Sequence, residues 1–93
     1  MQTTVSGITI ERPDAARLKT LGATSWPIWT KEASLFEWHY DDREQCYLLE
    51  GAATITTDDG EVSIAAGDVV TFPQGLSCRW RITQPVRKHY RFG

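Results

Sequence analysis

The stretch from Glu44 to Gly75 constrains the fold most, because turn-forming residues separate its short apolar runs. Residues 44–49 are rich in apolar side chains, and this short run before a glycine is typical of a β-strand. Gly51 predicts a bulge or a bend after that strand. Asp59-Gly60 favours a tight hairpin, and Gly67-Asp68 predicts another turn before a short strand. Two hairpins within about thirty residues predict a small antiparallel barrel or sandwich.

The spacing of residues in this stretch resembles the two sequence motifs of the cupin superfamily. Glu44, six intervening residues and Gly51 are similar to the second half of the first motif. Gly67, Pro73 and Gly75 are similar to the start of the second. The sequence further resembles small single-domain cupins related to the cupin domain of (S)-ureidoglycine aminohydrolase, at residues 26–29, 46–51, 78–80 and 86–90. The resemblance implies an all-β antiparallel jelly-roll barrel over roughly residues 26–92, within one domain at residues 1–93.

The rest of the chain predicts one helix and further strands. Pro13 and Asp14 suit the start of a helix and Gly22 suits its left-handed end, so we expect a short helix at residues 13–21. We expect strands at residues 5–10, 33–40, 76–83 and 86–92, with a turn at Gln84-Pro85 between the last two. The segment from Trp26 to Trp29 is interpreted as packing over a barrel end or as a dimer contact.

Composition excludes several classes of partner. The chain of 93 residues has a net charge of −2, so it offers no basic excess for nucleic acid or an anionic membrane. It contains no apolar run long enough for a signal peptide or a membrane span, and we therefore expect a cytoplasmic protein. In that compartment the two cysteines are expected to be thiols.

Strand alternation predicts which side chains face the barrel interior. The apolar faces of the last two strands and the cupin resemblance at Glu44 together predict an interior formed by Glu44, Cys46, Cys78, Trp80, Lys88 and Tyr90. Polar groups in a small apolar barrel cost free energy unless they are paired, which makes them candidates for function. The alternative is that Glu44 and Lys88 form a structural ion pair and that the cysteines are small core residues.

Three functions remain open for this interior. In an enzyme acting on a small polar metabolite, Glu44 or Lys88 would be the acid or base and Tyr90 would donate a hydrogen bond. Trp80 and Trp38 would stack on the substrate, and the ligand-binding set would also include Tyr40, Cys46 and Cys78. The second function is non-catalytic ligand binding or sensing. The third is a structural dimer whose interior is only a stabilising core.

The resemblance leaves the metal ligands open between two strand registers. In one register Glu37 and His39 occupy the family's histidine positions, and with Glu44 they would suit Mn²⁺ or Fe²⁺. In the other register these positions fall on Trp38 and Tyr40, and no ligand set exists. Cys78 occupies the histidine position of the second motif, where a thiolate would favour Zn²⁺ or Cu. Because the aromatic side chains favour the interior, a bound divalent transition metal is the less favoured alternative.

Residues outside the interior suggest contacts of other kinds. Tyr47 and Leu49 face away from Glu44, and with the resemblance they lead us to expect a homodimer. We expect His89 to be solvated on a basic outer face between Arg87 and Arg91. The two cysteines would form a disulfide only if their Cα atoms lie within about 7 Å.

Overall fold

The computed structural model describes residues 2–93, which form one antiparallel sheet that curves into a small barrel. The strands are Gln2–Val5 (β1), Ile8–Glu11 (β2), Ile28–Lys31 (β3), Ser34–His39 (β4), Glu44–Thr57 (β5), Gly60–Ala65 (β6), Val69–Phe72 (β7) and Ser77–Phe92 (β8). One α-helix, Ala15–Leu21 (α1), and a 3₁₀ helix, Ala23–Ser25, connect β2 to β3. Among residues 2–93, no helix is long and apolar enough to cross a membrane.

Two long strands, β5 and β8, form the centre of the sheet. They pair from Glu44 opposite Phe92 to Thr56 opposite Arg79. On its other edge β5 pairs with β6 and β7, and β8 pairs on its other edge with β3 and β4. The remaining strands extend the sheet through β7 in the order β1-β2-β7-β5-β8-β3. Each long strand is therefore flanked by two short strands that lie end to end.

The hairpin predicted at Gly67-Asp68 is wrong, because β6 and β7 run in the same direction along one edge of β5. β6 ends with Ala65 opposite Ala52, and β7 begins further along β5. Between them the backbone N–H of Gly67 donates to the carbonyl of Leu48 at 2.9 Å. The Asp68 carboxylate accepts from the backbone N–H of Ala65 at 2.9 Å. The turn therefore shifts the chain sideways and does not reverse it.

The turn predicted at Gln84-Pro85 is also wrong, because β8 continues through both residues. Proline cannot donate a backbone hydrogen bond, and it is tolerated in a sheet only at an edge or an irregularity. The irregularity lies opposite, where the register between β5 and β8 shifts near Gly51. Gly51 has a φ of +93°, and a Cβ built on it would lie 2.1 Å from the Pro85 carbonyl oxygen. The bulge predicted at Gly51 is confirmed, and it accommodates the proline.

The N-terminal region differs from its prediction in one respect. The strand expected at residues 5–10 is two strands, because Ser6 and Gly7 both have positive φ and reverse the chain between β1 and β2. The predicted helix is confirmed as α1. The Asp14 side chain accepts a hydrogen bond from the backbone N–H of Arg17, and Gly22 ends the helix in the left-handed conformation.

The core lies between the inner faces of β5, β6, β7 and β8. Alternate residues of β8 are buried as predicted, from Cys78 and Trp80 through Lys88. The same alternation holds on both sides of Pro85, so the proline does not exchange the two faces of the strand. The largest fully buried side chains include Trp80, Tyr40 and Phe72, which lie next to the cleft described below.

Candidate functional site

A cleft of about 720 Å³ opens from the barrel interior to solvent. Its walls come from β3, β4 and β8, and the start of β5 contributes to its floor. Aromatic rings form most of the lining, together with two ammonium and two carboxylate groups. The lining residues are Trp29, Thr30, Lys31, Phe36, Glu37, Trp38, Tyr40, Glu44, Trp80, Lys88, Tyr90 and Phe92.

A buried ion pair forms the polar part of the floor. Lys88 Nζ donates to Glu44 Oε2 at 3.0 Å, and both side chains are about nineteen-twentieths buried. The two residues lie on neighbouring strands, β8 and β5, and both point inward. Isolated charges at such depth would be strongly destabilising, so each of these groups needs the other. The pair predicted as the polar centre of the interior is therefore present as a direct contact.

Two tryptophans enclose the Lys88 ammonium. Its Nζ atom lies 4.8 Å from the ring centroid of Trp29 and 4.7 Å from that of Trp80. Trp29 is directly opposite Lys88 in the pairing of β3 with β8, which fixes its ring beside the amine. Ring faces attract cations, and the attraction is stronger where water is excluded. The ammonium therefore has one carboxylate oxygen and two ring faces as neighbours.

Stacked rings hold the inner wall of the cleft in place. Trp80 stacks on Phe36 at 6.0 Å, and Tyr40 stacks on Phe72 at 4.8 Å. The indole N–H of Trp80 donates to the Tyr40 hydroxyl at 3.3 Å. Burial, and secondarily the charge of Glu44, raises the pKa of Tyr40, so its hydroxyl keeps its proton. This wall is a rigid aromatic surface with few free polar groups.

The mouth of the cleft is apolar and exposed. Trp38 is 50% exposed and Phe92 is 53% exposed, although both line the cleft. Phe92 lies directly opposite Glu44 on the neighbouring strand, and the Tyr90 ring packs edge-on against it at 5.7 Å. Half-exposed aromatic rings beside a buried charged pair are typical of a ligand-binding cleft.

The two cysteines lie outside the lining of this cleft. Cys46 is completely buried behind it, and Cys78 borders a separate outer groove beside β4. Both are free thiols, so the alternative of a disulfide between them is wrong. Burial raises the pKa of Cys46 to about 12 and that of Cys78 to about 11. Both thiols are therefore protonated near neutral pH and are poor nucleophiles.

The predicted metal ligands do not converge. The strand register is the aromatic one, in which Tyr40 is buried while Glu37 and His39 are exposed on the opposite face of β4. Glu44 faces the interior, where it is paired with Lys88. Residues 2–93 contain no group of three or more His, Cys, Asp or Glu side chains that could hold a metal ion. The set of Glu37, His39, Glu44 and Cys78 is therefore wrong as a metal site.

The two histidines have different environments. His39 is exposed, and its Nδ1 lies 2.7 Å from the Ser77 hydroxyl. The expectation that His89 is solvated is wrong, since only 8% of it is exposed. Its Nδ1 lies 2.8 Å from the backbone carbonyl of Trp26, to which it must donate. The segment after the 3₁₀ helix packs over His89 and buries it. Strand alternation predicts only that the His89 side chain points outward, and it does not show that another segment lies there.

Sequence reasoning missed five residues that line the cleft: the aromatic residues Trp29, Phe36 and Phe92, and also Thr30 and Lys31. The sequence predicts packing or a dimer contact for Trp29, whereas its ring faces Lys88 inside the cleft. Phe36 shares the inner face of β4 with Trp38, and Phe92 shares the inner face of β8 with Tyr90. The alternation of these aromatic residues with polar ones indicates which face of each strand they occupy. It does not indicate which strands pair, and that pairing brings the rings together.

Comparisons with known proteins agree on the fold. The profile of the EutQ-like cupin domain matches residues 18–90. The chain is 52% identical to a DUF861 family protein from Thermotoga maritima, with a TM-score of 0.90 over 92% of this chain and 99% of that chain. It is 22% identical to the Clostridium difficile EutQ protein, with a TM-score of 0.62 over 68% of this chain and 46% of that one. A DUF861 family protein from Pseudomonas syringae gives 21% identity and a TM-score of 0.66 over 100% of this chain and 34% of that chain. Among curated proteins none matches. The expected all-β cupin barrel is confirmed.

Proposed function

Because the chain belongs to the EutQ-like cupin domain family, we propose that it binds a small polar molecule in the aromatic cleft. The observation that carries the proposal is the Glu44–Lys88 ion pair, which is buried and yet borders a cleft open to solvent. A purely structural ion pair has no need of a cleft of about 720 Å³ beside it. Clefts of this size with a few convergent polar groups are the usual sites for small ligands.

Transformation of the bound molecule is a second step of the same proposal. Glu44 is the group best placed to accept a proton, since only one of its oxygens contacts Lys88. Tyr90 lines the cleft and would donate a hydrogen bond from its hydroxyl. The resemblance to ureidoglycine aminohydrolase agrees with the barrel fold. It does not extend to manganese chemistry, because the side chains of Glu37 and His39 point away from the barrel interior.

We also propose that the protein is a cytoplasmic homodimer. Among the side chains that the structure describes, from residue 5 onward, four large apolar ones are exposed: Ile28, Leu35, Trp38 and Phe92. Tyr47 and Leu49, which suggested the dimer from sequence, are partly buried within the chain and contribute less free surface than expected. Sedimentation equilibrium across a range of protein concentrations tests the dimer, and a monomer at all concentrations refutes it.

A ligand screen on ¹⁵N-labelled protein tests the binding function. We expect polar metabolites that bind to shift the indole N–H signals of Trp29 and Trp80. Glu44→Gln and Trp38→Ala should both weaken binding at least about tenfold, because one removes the carboxylate and the other a ring at the mouth. Trp38→Ala keeps the test valid if Glu44→Gln is too unstable, since Trp38 is half exposed.

A matched control is Glu11→Gln, which breaks the exposed pair between Glu11 and Arg17 at 2.9 Å. This pair resembles the buried pair in distance, but neither of its residues lines the cleft. Glu11→Gln should leave binding unchanged. If no compound in the screen shifts the two indole signals, the cleft is not a binding site and the structural alternative replaces the proposal.

A further inference from the structure

We propose that the ligand presents a planar group with N–H donors, of the amide or amidine type, attached to a flat apolar body. The inference rests on the proposed binding function and names the chemical class that the cleft selects. Lys88 uses its hydrogen-bond donors within the protein, whereas Glu44 has acceptor sites that remain free for a ligand.

The Lys88 ammonium has little capacity left. It carries three N–H donors, and it has three close neighbours: Glu44 Oε2 at 3.0 Å and the rings of Trp29 and Trp80. An anionic ligand would have to displace one of these neighbours to reach the amine. Displacing Glu44 would leave a buried carboxylate unpaired, which is strongly unfavourable. The amine therefore serves to hold Glu44 and not to attract a carboxylate.

Glu44 has acceptor capacity to spare. An ionised carboxylate has two oxygens with about four acceptor sites. Within residues 2–93, the Glu44 side chain accepts one hydrogen bond, the one from Lys88. Glu44 lines the cleft, and its remaining oxygen is not among the described side-chain atoms that are both shielded from solvent and unpartnered, so a ligand in the cleft can reach it. A ligand N–H is the complementary group, whereas a ligand carboxylate would repel this oxygen.

The shape of the cleft selects a flat ligand. Phe92 lies opposite Glu44, and the Trp38 ring is half exposed at the mouth. Two further charged residues, Glu37 and Lys31, border the cleft at its rim, and neither changes the preference at the floor. Glu37 points outward toward Arg79 at 3.5 Å, and the Lys31 ammonium lies 5.5 Å from the Phe36 centroid at the rim. Flat rings beside one free acceptor favour an aromatic or conjugated molecule that donates hydrogen bonds.

Three probes of nearly the same shape separate the possibilities: benzamide, benzamidine and benzoate. Benzamide is neutral and donates, benzamidine is cationic and donates, and benzoate is anionic and only accepts. We expect benzamide and benzamidine to shift the indole signals of Trp29 and Trp80, and benzoate to bind at least about tenfold more weakly. In Glu44→Gln, the side-chain amide offers a donor as well, so the preference over benzoate should fall about tenfold.

Glu11→Gln is the matched control, since it neutralises a carboxylate that pairs with Arg17 at 2.9 Å and does not line the cleft. It should leave the order of the three probes unchanged. If benzoate binds as tightly as benzamide, or if Glu44→Gln leaves the order unchanged, the ligand class is wrong while binding in the cleft stands. If none of the three probes binds, the ligand class is also wrong. The binding function itself then fails only if no compound in the wider screen shifts the indole signals of Trp29 and Trp80.

Discussion

Replacing Glu44 by Gln and Lys88 by Met, singly and together, tests whether the two buried charges act as one unit. Each single substitution leaves one charge without its partner at a site that is almost completely enclosed. The double variant removes both charges at once. Met is close to Lys in length, and its thioether makes favourable contacts with the two tryptophan rings that surround Lys88.

The structure sets the expected magnitudes. Two unit charges at 3.0 Å attract by about 5.5 kcal/mol at an effective dielectric constant of about 20. Desolvation of the two ions offsets most of this gain, so the net contribution of the intact pair is small. Breaking the pair is different, because the remaining ion stays buried. We expect each single variant to lose about 3 kcal/mol and the double variant to lose only about 1 kcal/mol, where additivity would give about 6.

Equilibrium unfolding in urea at pH 7, followed by circular dichroism, measures these values. A domain of 93 residues has a free energy of unfolding of roughly 5–14 kcal/mol, so the single variants should retain a measurable folded baseline. The midpoint should move while the slope m stays constant. Circular dichroism is preferred to fluorescence, because Trp29 and Trp80 contact the substituted amine and their emission would change locally.

An additive double variant would refute the reasoning, since it would mean that the two side chains contribute independently. A single variant that loses less than about 1 kcal/mol would also refute it, because the charge would then be hydrated. The exposed pair of Glu11 and Arg17 serves as the control, with a similar distance of 2.9 Å. The same cycle there should give a coupling below about 1 kcal/mol.

Three further predictions concern the backbone, the thiols and the histidines. Gly51→Ala should lose about 3 kcal/mol or more in urea unfolding, because the added Cβ meets the Pro85 carbonyl oxygen. Gly67→Ala is the control: Gly67 has a similar φ of +96°, but its Cβ would meet nothing, so the loss should be only about 1 kcal/mol. Burial raises the pKa of Cys46 from 9.0 to about 12, so the unfolded chain loses this proton first and stability should fall as pH rises from 9 to 12. Cys46→Ala should decline less over that window, and an equal decline would contradict the assignment. His89→Leu should lose about 1–2 kcal/mol in thermal unfolding, because the Trp26 carbonyl is left without its hydrogen-bond donor. His39 is exposed, so His39→Leu should change thermal stability little. Equal losses in the two variants would show that burial does not distinguish the histidines.

Strand alternation predicted the side of the sheet correctly but not the depth. Alternation directed Trp80 and Lys88 inward, the cupin resemblance directed Glu44 inward, and the structure brings these three together. Counting two residues on from Glu44 also directed Cys46 inward, yet this thiol lies behind the cleft and not on its surface. Alternation has a period of two residues and carries no information about distance from the mouth of a barrel. The depth of a side chain depends on the neighbouring strands, which the sequence does not identify.

Turn residues predicted where the chain departs from a regular strand, but not in which way. Gly67-Asp68 and Gln84-Pro85 both have turn composition, yet neither reverses the chain. At Gly67 the hydrogen bonds to β5 continue across the turn, and at Pro85 the irregularity at Gly51 removes the conflict. In both cases long-range pairing overrode the local preference. His89 illustrates the same limit, since its cover comes from the segment around Trp26, distant in sequence.

The central pairing of β5 with β8 has a consequence for the order of folding. Glu44 and Lys88 are separated by 44 positions, and their strands cannot pair until that long loop has closed. The β5–β6 hairpin is local and needs no such closure, so it is expected to form early. Proteins dominated by contacts that are distant in sequence fold slowly. The floor of the cleft therefore forms in a late step, after residues near the end of β8 have been synthesised. A protein that binds ligand in the cleft must already have paired β8 with β5.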